Sequence, residues 1–467
     1  MGIWEEQPDL AAWIETTIGG SIRAAERQGR WRVQWMVDVD TPGGRIDLVA
    51  RMPRDPEFVR SSAFLSHYDT EHEARVLQAM EGTAVPTPRY YGFHQPTESL
   101  LIDRFSGSGD FRLLEGDARH EVLDQYVAQM VAIHRLPTET LDAVGAQAPN
   151  GAIPGGQLQW MRLDYDRARS TMRPEPLLEF SLWWLEHHLP ADRDRRAIVQ
   201  GDTGPGQFMF EDRRLIGLID WELADIDHPM LDLGVMRMRN VLYPMGPLDE
   251  PLELYAQLSG RPLDLEAIRY FTVVASLVSL LGMAPSMQSP SARIDSMLPR
   301  LAWDVSMRRC LCEALIEAMG IAVVPPELPP AVPTSRTPLH DFLVEHLEFG
   351  CAGLADDDYD RYLLDGAGGL ARALRLLDQV GPAFDEADLD DMAEVLGTRP
   401  RDSLEADVRL ADRVANDPEA DAPALLRLWY RMAVRREYSW GPLMLAQGSA
   451  PLAPMAEHLG QDVPVRS

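Results

Sequence analysis

Asp202, Gln207 and Asp220 are the residues whose types and spacing could do chemistry. They lie in Ile198-Val-Gln-Gly-Asp-Thr-Gly-Pro-Gly-Gln-Phe-Met-Phe210 and Leu215-Ile-Gly-Leu-Ile-Asp-Trp-Glu222. A carboxylate in a loop after a short apolar run, an amide five residues later and a carboxylate closing a second apolar run form the layout of a magnesium-dependent phosphoryl-transfer site. Moving a terminal phosphoryl group needs one carboxylate to orient the attacking hydroxyl and accept its proton, while other oxygens hold the magnesium that bridges the phosphates. A carboxylate bound to metal is a poor base, so the roles must come from separate turns. Asp202 is the candidate base, Asp220 the principal magnesium ligand and Gln207 an accessory ligand, all hard oxygen donors. The alternative is that Gly201-Asp-Thr-Gly-Pro-Gly206 is simply a turn, since these residue types favour turns on conformational grounds. Asp220 and Asp232, standing in register downstream, argue against it.

Such a site also needs a cation for the phosphates and an acid to hold that cation. The chain contains no lysine, so all 44 of its basic residues are arginine. A Walker A loop, a pyridoxal-phosphate Schiff base and a lysine nucleophile are thereby excluded. The best candidate cation is Arg51, at the end of the alternating run Ile46-Asp-Leu-Val-Ala-Arg-Met-Pro53, which stops at a proline. Residues 31 to 40 suggest the preceding strand, and Thr41-Pro-Gly-Gly44 the turn between them. Asp69 to Met80 reads as a helix with Thr70 as a cap, Glu71 and Glu73 in its first turn, and Val76, Leu77 and Met80 as its apolar stripe. Ile18 to Arg32 is locally basic and is expected to run across a nucleotide, with Ser21 as a contact; a solvated basic face is the alternative. Ser99 to Phe105 reads as the strand leading to a hinge where adenine would dock.

These segments resemble the aminoglycoside phosphotransferase-like, or choline kinase-like, family of small-molecule kinases. The pattern His-Gly-Asp, Asn five residues on, and a strand ending Ile-Asp-Trp-Glu is matched by Gln200-Gly201-Asp202, Gln207 and Ile219-Asp220-Trp221-Glu222. Asp227-His-Pro-Met-Leu-Asp-Leu233 is similar to the family's Gly-Asp-Pro-x-x-Asp-Leu, with Asp232 as the loop-bracing aspartate. The resemblance implies that Glu73 pairs with the strand cation Arg51; the alternative for Glu73 is a first-turn acid favoured by the helix dipole. Gln200 stands in place of a scaffolding His. Gln207 stands in place of Asn, and its extra methylene displaces the amide oxygen by ~1.5 Å unless the backbone compensates. Glu222 either faces substrate or braces the loop. The wording of the motifs looks most like the branch that includes acyl-CoA dehydrogenase-associated kinases.

The fold so implied is α+β and two-lobed, protein-kinase-like, with a small antiparallel-sheet N-lobe, a mainly helical C-lobe and an appended all-α domain. The expected bounds are 1–105 for the N-lobe, 106–324 for the C-lobe, 325–338 for a proline-rich linker and 339–467 for an acidic helical domain outside the resemblance. Proline both stiffens a chain and stops helices, which places the boundary. Helices are expected at 120–136, at 157–189 with a break at 173–176, and in the tail at 339–349, 359–379, 404–414 and 422–436. Asp385, Asp388, Asp390 and Asp391 lack the order and central glycine of a calcium loop, so they read as a solvated acidic face.

Composition narrows the partners. A formal charge of -29 and a pI near 4.7 oppose nucleic acid as a partner, because phosphate backbones call for a basic surface. The same field opposes ATP or GTP, so magnesium and arginine must neutralise the site locally. Cys310, Cys312 and Cys351 are odd in number, lack metal-ligand spacing and read as reduced core thiols. No secretory signal is visible, and the apolar run from Tyr270 to Ala284 falls short of a membrane span, so a cytoplasmic enzyme without membrane contact is expected. The expected activity is magnesium-dependent transfer of the terminal phosphate of ATP or GTP to a small-molecule hydroxyl. The rival is a catalytically impaired nucleotide-binding scaffold with the helical tail as its interaction module, which Gln200 and Gln207 favour.

Overall fold

The computed structural model describes residues 2–28, 32–54, 59, 68–141, 156–170, 172–192, 195–290, 297–355, 359–444, 449–456 and 459. The sequence-predicted strand over 31–40 therefore begins with a residue, Trp31, outside the described set.

Two short helices, α1 (Ile3–Glu6) and α2 (Pro8–Ile18), precede an antiparallel sheet of β1 (Ser21–Gln28), β2 (Gln34–Thr41), β3 (Gly44–Arg51), β4 (Tyr90–His94) and β5 (Ser99–Asp103), in the order β1-β2-β3-β5-β4. Neither N-terminal helix is among the elements expected from sequence; Gly19, left-handed at φ 70°, ends α2. Strand alternation sorts the two faces. Trp35, Val37 and Val39 of β2 and Leu48 and Ala50 of β3 bury against Ile3, Leu10 and Ile14 of the N-terminal helices. Val49 lies on the opposite face, against Val76, Leu77 and Met80 of α3 (Thr70–Met80), and Arg51, two residues on, shares that face. The α3 cap is Asp69, whose Oδ1 accepts the His72 amide at 2.7 Å, and not Thr70. Thr70 Oγ1 instead accepts from Arg32 at 3.2 Å.

The C-lobe holds α4 (Gly116–His134), α5 (Gly156–Ala168) and α6 (Pro176–His187), then the pair β6 (Ala197–Val199) and β9 (Asp225–Asp227) and the hairpin β7 (Phe208–Glu211) and β8 (Arg214–Leu218). Helices α7 (Met230–Leu242), α8 (Asp249–Ser259), α9 (Leu265–Leu281), α10 (Ala284–Gln288) and α11 (Met297–Ala318) complete it. Helix α9 packs on both α7 and α11, so the predicted apolar helix is a core element. Among the described residues no helix is long and apolar enough to cross a membrane.

Residues 321–334 carry neither helix nor strand. Beyond them stand α12 (Thr337–Cys351), α13 (Tyr359–Leu396), α14 (Ser403–Asn416) and α15 (Pro418–Trp440). Helix α13 is longer than its sequence-predicted span, running through Pro382 and past the aspartates at 385–391. Those aspartates are partly paired: Asp388 and Asp391 meet Arg435, and Asp390 meets Arg399. The tail shares the C-lobe core, since Leu410, Leu425, Leu426 and Trp429 belong to the same apolar cluster as Phe180 and Leu311. All three cysteines are free and buried.

Candidate active site

The Asp202 loop follows β6, and its backbone is fixed from below. Asp232, fully buried at the start of α7, accepts the Gln200 amide at 3.0 Å and the Gly201 amide at 2.9 Å. His134 Nε2 lies 2.9 Å from the same carboxylate and its Nδ1 2.8 Å from the Tyr255 hydroxyl, so this histidine braces the brace. Gln200 performs the scaffolding expected of it: its Oε1 accepts from Tyr126 at 3.1 Å and its Nε2 donates to the Ile219 carbonyl at 3.0 Å. That last bond ties the Asp202 loop to the strand end that carries Asp220. Gly201 is left-handed at φ 81°, and a Cβ there would sit 2.1 Å from the Leu223 carbonyl oxygen.

Asp220 leaves β8 with φ 64°, a conformation that aspartate tolerates better than most residues. Buried Trp221 anchors the turn by donating to the Leu218 carbonyl at 3.1 Å. The β-sheet lobe meets the turn through Arg51, whose Nη2 is 2.5 Å from Asp220 Oδ1 and whose Nε is 3.3 Å from Glu73 Oε2. The two sequence-predicted partners, Arg51 and Glu73, are thus joined, and Glu73 is 1% exposed. Burial by itself would raise the Asp220 carboxyl, but Arg51 and then Arg32 outweigh it and hold the group below the usual carboxylate range. Burial pushes Glu73 up despite both arginines.

Arg32 and Arg54 join this cluster. Arg32 Nη2 lies 2.7 Å from Glu73 Oε2 and also pairs with Glu222, while Arg54 Nη2 lies 2.6 Å from Glu222 Oε1. Glu222 is therefore held by Arg32 and Arg54 together, with Arg51 Nη2 3.8 Å away. Carboxylate oxygens of Glu73, Asp220 and Glu222 all lie within 4.8 Å of one another, close enough to share one metal ion.

Asp202 is 18% exposed at its side chain and carries two partners. Arg239 Nη1 donates to Oδ1 at 2.8 Å, and Gln207 Nε2 donates to Oδ2. Burial raises the Asp202 carboxyl above its ordinary value, with Arg239 opposing. The Gln207 amide is therefore held on the base. Ser21 is not brought to this cluster. It opens β1, exposed and opposite Asp40, whereas Arg51 lies level with Gln34 and Gln28 at the other end of the sheet, about 20 Å along the strand.

Arg32, Arg54 and Arg239 were missed by sequence reasoning. Arg32 closes the basic run 18–32, and nothing in its local sequence sets it apart from the other arginines there. Arg239 had a clearer signal: with Arg237 it interrupts the mostly apolar Leu233-Gly-Val-Met-Arg-Met-Arg239, and arginine inside a buried helix calls for a partner.

A family model described as the phosphotransferase enzyme family matches residues 34–271, just over half of the chain. The acyl-CoA dehydrogenase family member 11 of Gallus gallus is 25% identical over 200 residues, 41% of this chain and 25% of that protein, so the chain spans about a quarter of the curated relative's length. The fold is similar to that of a Ralstonia eutropha JMP134 protein solved as a candidate aminoglycoside phosphotransferase, with TM-score 0.50, 20% identity and coverage of 67% of this chain and 98% of that one. The macrolide 2'-phosphotransferase MphH of Brachybacterium faecium aligns at TM-score 0.44 and 19% identity over 64% of this chain and 97% of its own. Two lobes meeting at Arg51 and Asp220, with the matched segment running from β2 into α9, give the conclusion that the chain belongs to the phosphotransferase enzyme family.

Proposed function

We propose that the protein transfers the terminal phosphoryl group of ATP or GTP to a hydroxyl of a small molecule. The observation that carries this reading is the bridge Glu73–Arg51–Asp220, which joins a cation of the sheet lobe to the C-lobe turn that bears Asp220. Asp202, on its own braced loop, is the base: its carboxylate orients the acceptor hydroxyl and takes its proton. Arg51, supported by Arg32 and Arg54, holds phosphate oxygens by charge-assisted bonds.

The donor set suits magnesium, since Asp220 and Glu222 offer hard carboxylate oxygens within 4.8 Å and Gln207 an amide oxygen nearby in the chain. When bound, magnesium would neutralise charge developing on the phosphates. The rival reading, a nucleotide-binding scaffold with the helical tail as interaction module, draws on Gln207, whose amide nitrogen faces the base. The acceptor is set by pockets that motifs do not specify. The hydroxylated acceptors worth screening include aminoglycosides, macrolides, choline and hydroxyacyl thioesters. Magnesium-dependent consumption of ATP or GTP across such a panel is the test. Consumption with one acceptor class supports the kinase, while nucleotide binding with no consumption across the panel supports the scaffold.

A further inference from the structure

We propose that Arg239 is the positioning residue of the catalytic loop, and that Gly204-Pro205-Gly206 is shaped around its guanidinium. The proposal rests on the reading of Asp202 as the base. Arg239 is 6% exposed and sits in the last turn of α7, where a cation is favoured by the helix dipole. Its fork reaches two parts of the loop together: Nη1 donates to Asp202 Oδ1 at 2.8 Å and Nη2 donates to the Pro205 carbonyl at 2.7 Å. From behind, the guanidinium lies 5.1 Å from the ring centroid of Tyr243 and 5.9 Å from that of Trp303, within cation–π range.

The two glycines fit the same purpose. A Cβ on Gly204 would stand 3.1 Å from Arg239 Cβ and 3.2 Å from its Cδ, and one on Gly206 3.4 Å from Nη2. Both residues also have positive φ, 140° and 90°. The turn therefore lacks side chains where the arginine packs, which gives Gly204 and Gly206 a packing reason as well as a conformational one.

One helix thus grips the loop at two points. Asp232 holds the Gln200 and Gly201 amides, and its carbonyl accepts from Thr203. Arg239, about 10 Å farther along the helix axis, holds Asp202 and Pro205. With Gln207 on the other oxygen, both edges of the Asp202 carboxylate are fixed. Each oxygen still keeps a lone pair for an acceptor hydroxyl. A lysine reaches as a point charge and cannot span both partners as a planar fork does.

The test compares the full-length protein with Arg239→Met, Arg239→Lys, Asp202→Asn and Arg239→Met/Asp202→Asn. It measures MgATP binding and ADP release with water as the acceptor, supplemented by any acceptor found in the screen. We expect Arg239→Met to lower kcat by about tenfold or more with KM for MgATP within about twofold, and Arg239→Lys to recover part of the loss. The double variant should be little slower than Asp202→Asn alone, because Arg239 acts through Asp202. Unchanged kcat in Arg239→Met, or the same factor lost again in the Asp202→Asn background, overturns the proposal. Should the wild-type protein bind no MgATP, the phosphotransferase reading fails instead. Where no MgATP binding or no turnover is detected, urea unfolding of the wild type, Arg239→Met, Asp202→Asn and the double variant decides the bracing role: non-additive midpoint shifts support the Arg239–Asp202 grip, and additive shifts overturn it.

Discussion

Arg51 Nη2 stands 2.5 Å from Asp220 Oδ1, so the candidate phosphate cation sits on an oxygen of the candidate metal ligand. An arginine and a metal ion compete for that oxygen. Binding of a metal–triphosphate complex would relieve the competition, because the arginine then gains phosphate oxygens of its own.

Arg51→Met should therefore move two affinities in opposite directions. Manganese alone should bind more tightly, by about tenfold, since Asp220 loses a competitor worth roughly 1.4 kcal/mol. ATP with metal should bind more weakly by a similar or larger factor, while adenosine binding is unchanged. Titration calorimetry of the three ligands separates these effects, and equal weakening of ATP and adenosine would remove Arg51 from the phosphates.

Arg32 should matter most for stability. It is buried between Glu73 and Glu222, with side-chain exposures of 3%, 1% and 14% respectively. Truncation to Met leaves buried carboxylates short of a partner, at a cost of ~3–5 kcal/mol. Urea unfolding should show this loss, and Glu73→Gln in the same chain should return part of it. A loss below about 1 kcal/mol would mean that water or Arg51 replaces the missing charge.

Backbone requirements give a contrast between two glycines. Gly201→Ala meets both a left-handed φ of 81° and a carbonyl oxygen at 2.1 Å, so it should destabilise by about 2 kcal/mol or more and disturb the Asp202 loop. Gly260→Ala, at φ 71° with open space around its Cβ, meets only the conformational term of ~1–2 kcal/mol. Equal losses would show that the Leu223 carbonyl moves aside.

Much of this site was legible beforehand because phosphoryl transfer fixes residue types at short chain spacings. Asp202, Asp220 and Asp232 lie within one stretch, and the β2–β3 hairpin follows from alternation and its Thr-Pro-Gly-Gly turn. Arg51 and Glu73, on separate elements, were paired through the family pattern. Arg32, Arg54 and Arg239 were not legible in the same way, since each is defined by partners distant in sequence: Glu222 is 190 residues from Arg32 and Asp202 is 37 from Arg239. The α13 helix exceeded expectation for a related reason. Pro382 reads as a stop locally, but packing of α13 against α15 and α12 carries the helix through it. Ser21, expected to touch nucleotide, opens β1 about 20 Å along the strand from Arg51, and the glycines before it have local backbone reasons: Gly19 ends α2 at φ 70° and a Cβ on Gly20 would stand 2.5 Å from the Asp40 carbonyl oxygen.

His228 sets a pH dependence of stability. It is fully buried, its Nδ1 accepts the Met230 amide at 3.2 Å, and burial lowers its pKa from 6.5 to about 4. The native state keeps the ring neutral while the unfolded chain protonates it, so stability is full above pH ~6.5 and declines as pH falls toward about 4, by about 3 kcal/mol from this group. The unfolding free-energy gap between wild type and His228→Asn should shrink by that amount from pH 7 to pH 4. A constant gap would show that His228 titrates normally.

The central claim is that Asp202 serves as base in a nucleotide-dependent phosphotransferase. Its most direct test is Asp202→Asn, measured side by side with wild type for MgATP affinity and for turnover with an acceptor from the screen. The account predicts MgATP affinity within about twofold of wild type and turnover reduced by ~100-fold or more, the usual contribution of a positioned base. Full turnover in Asp202→Asn would contradict it.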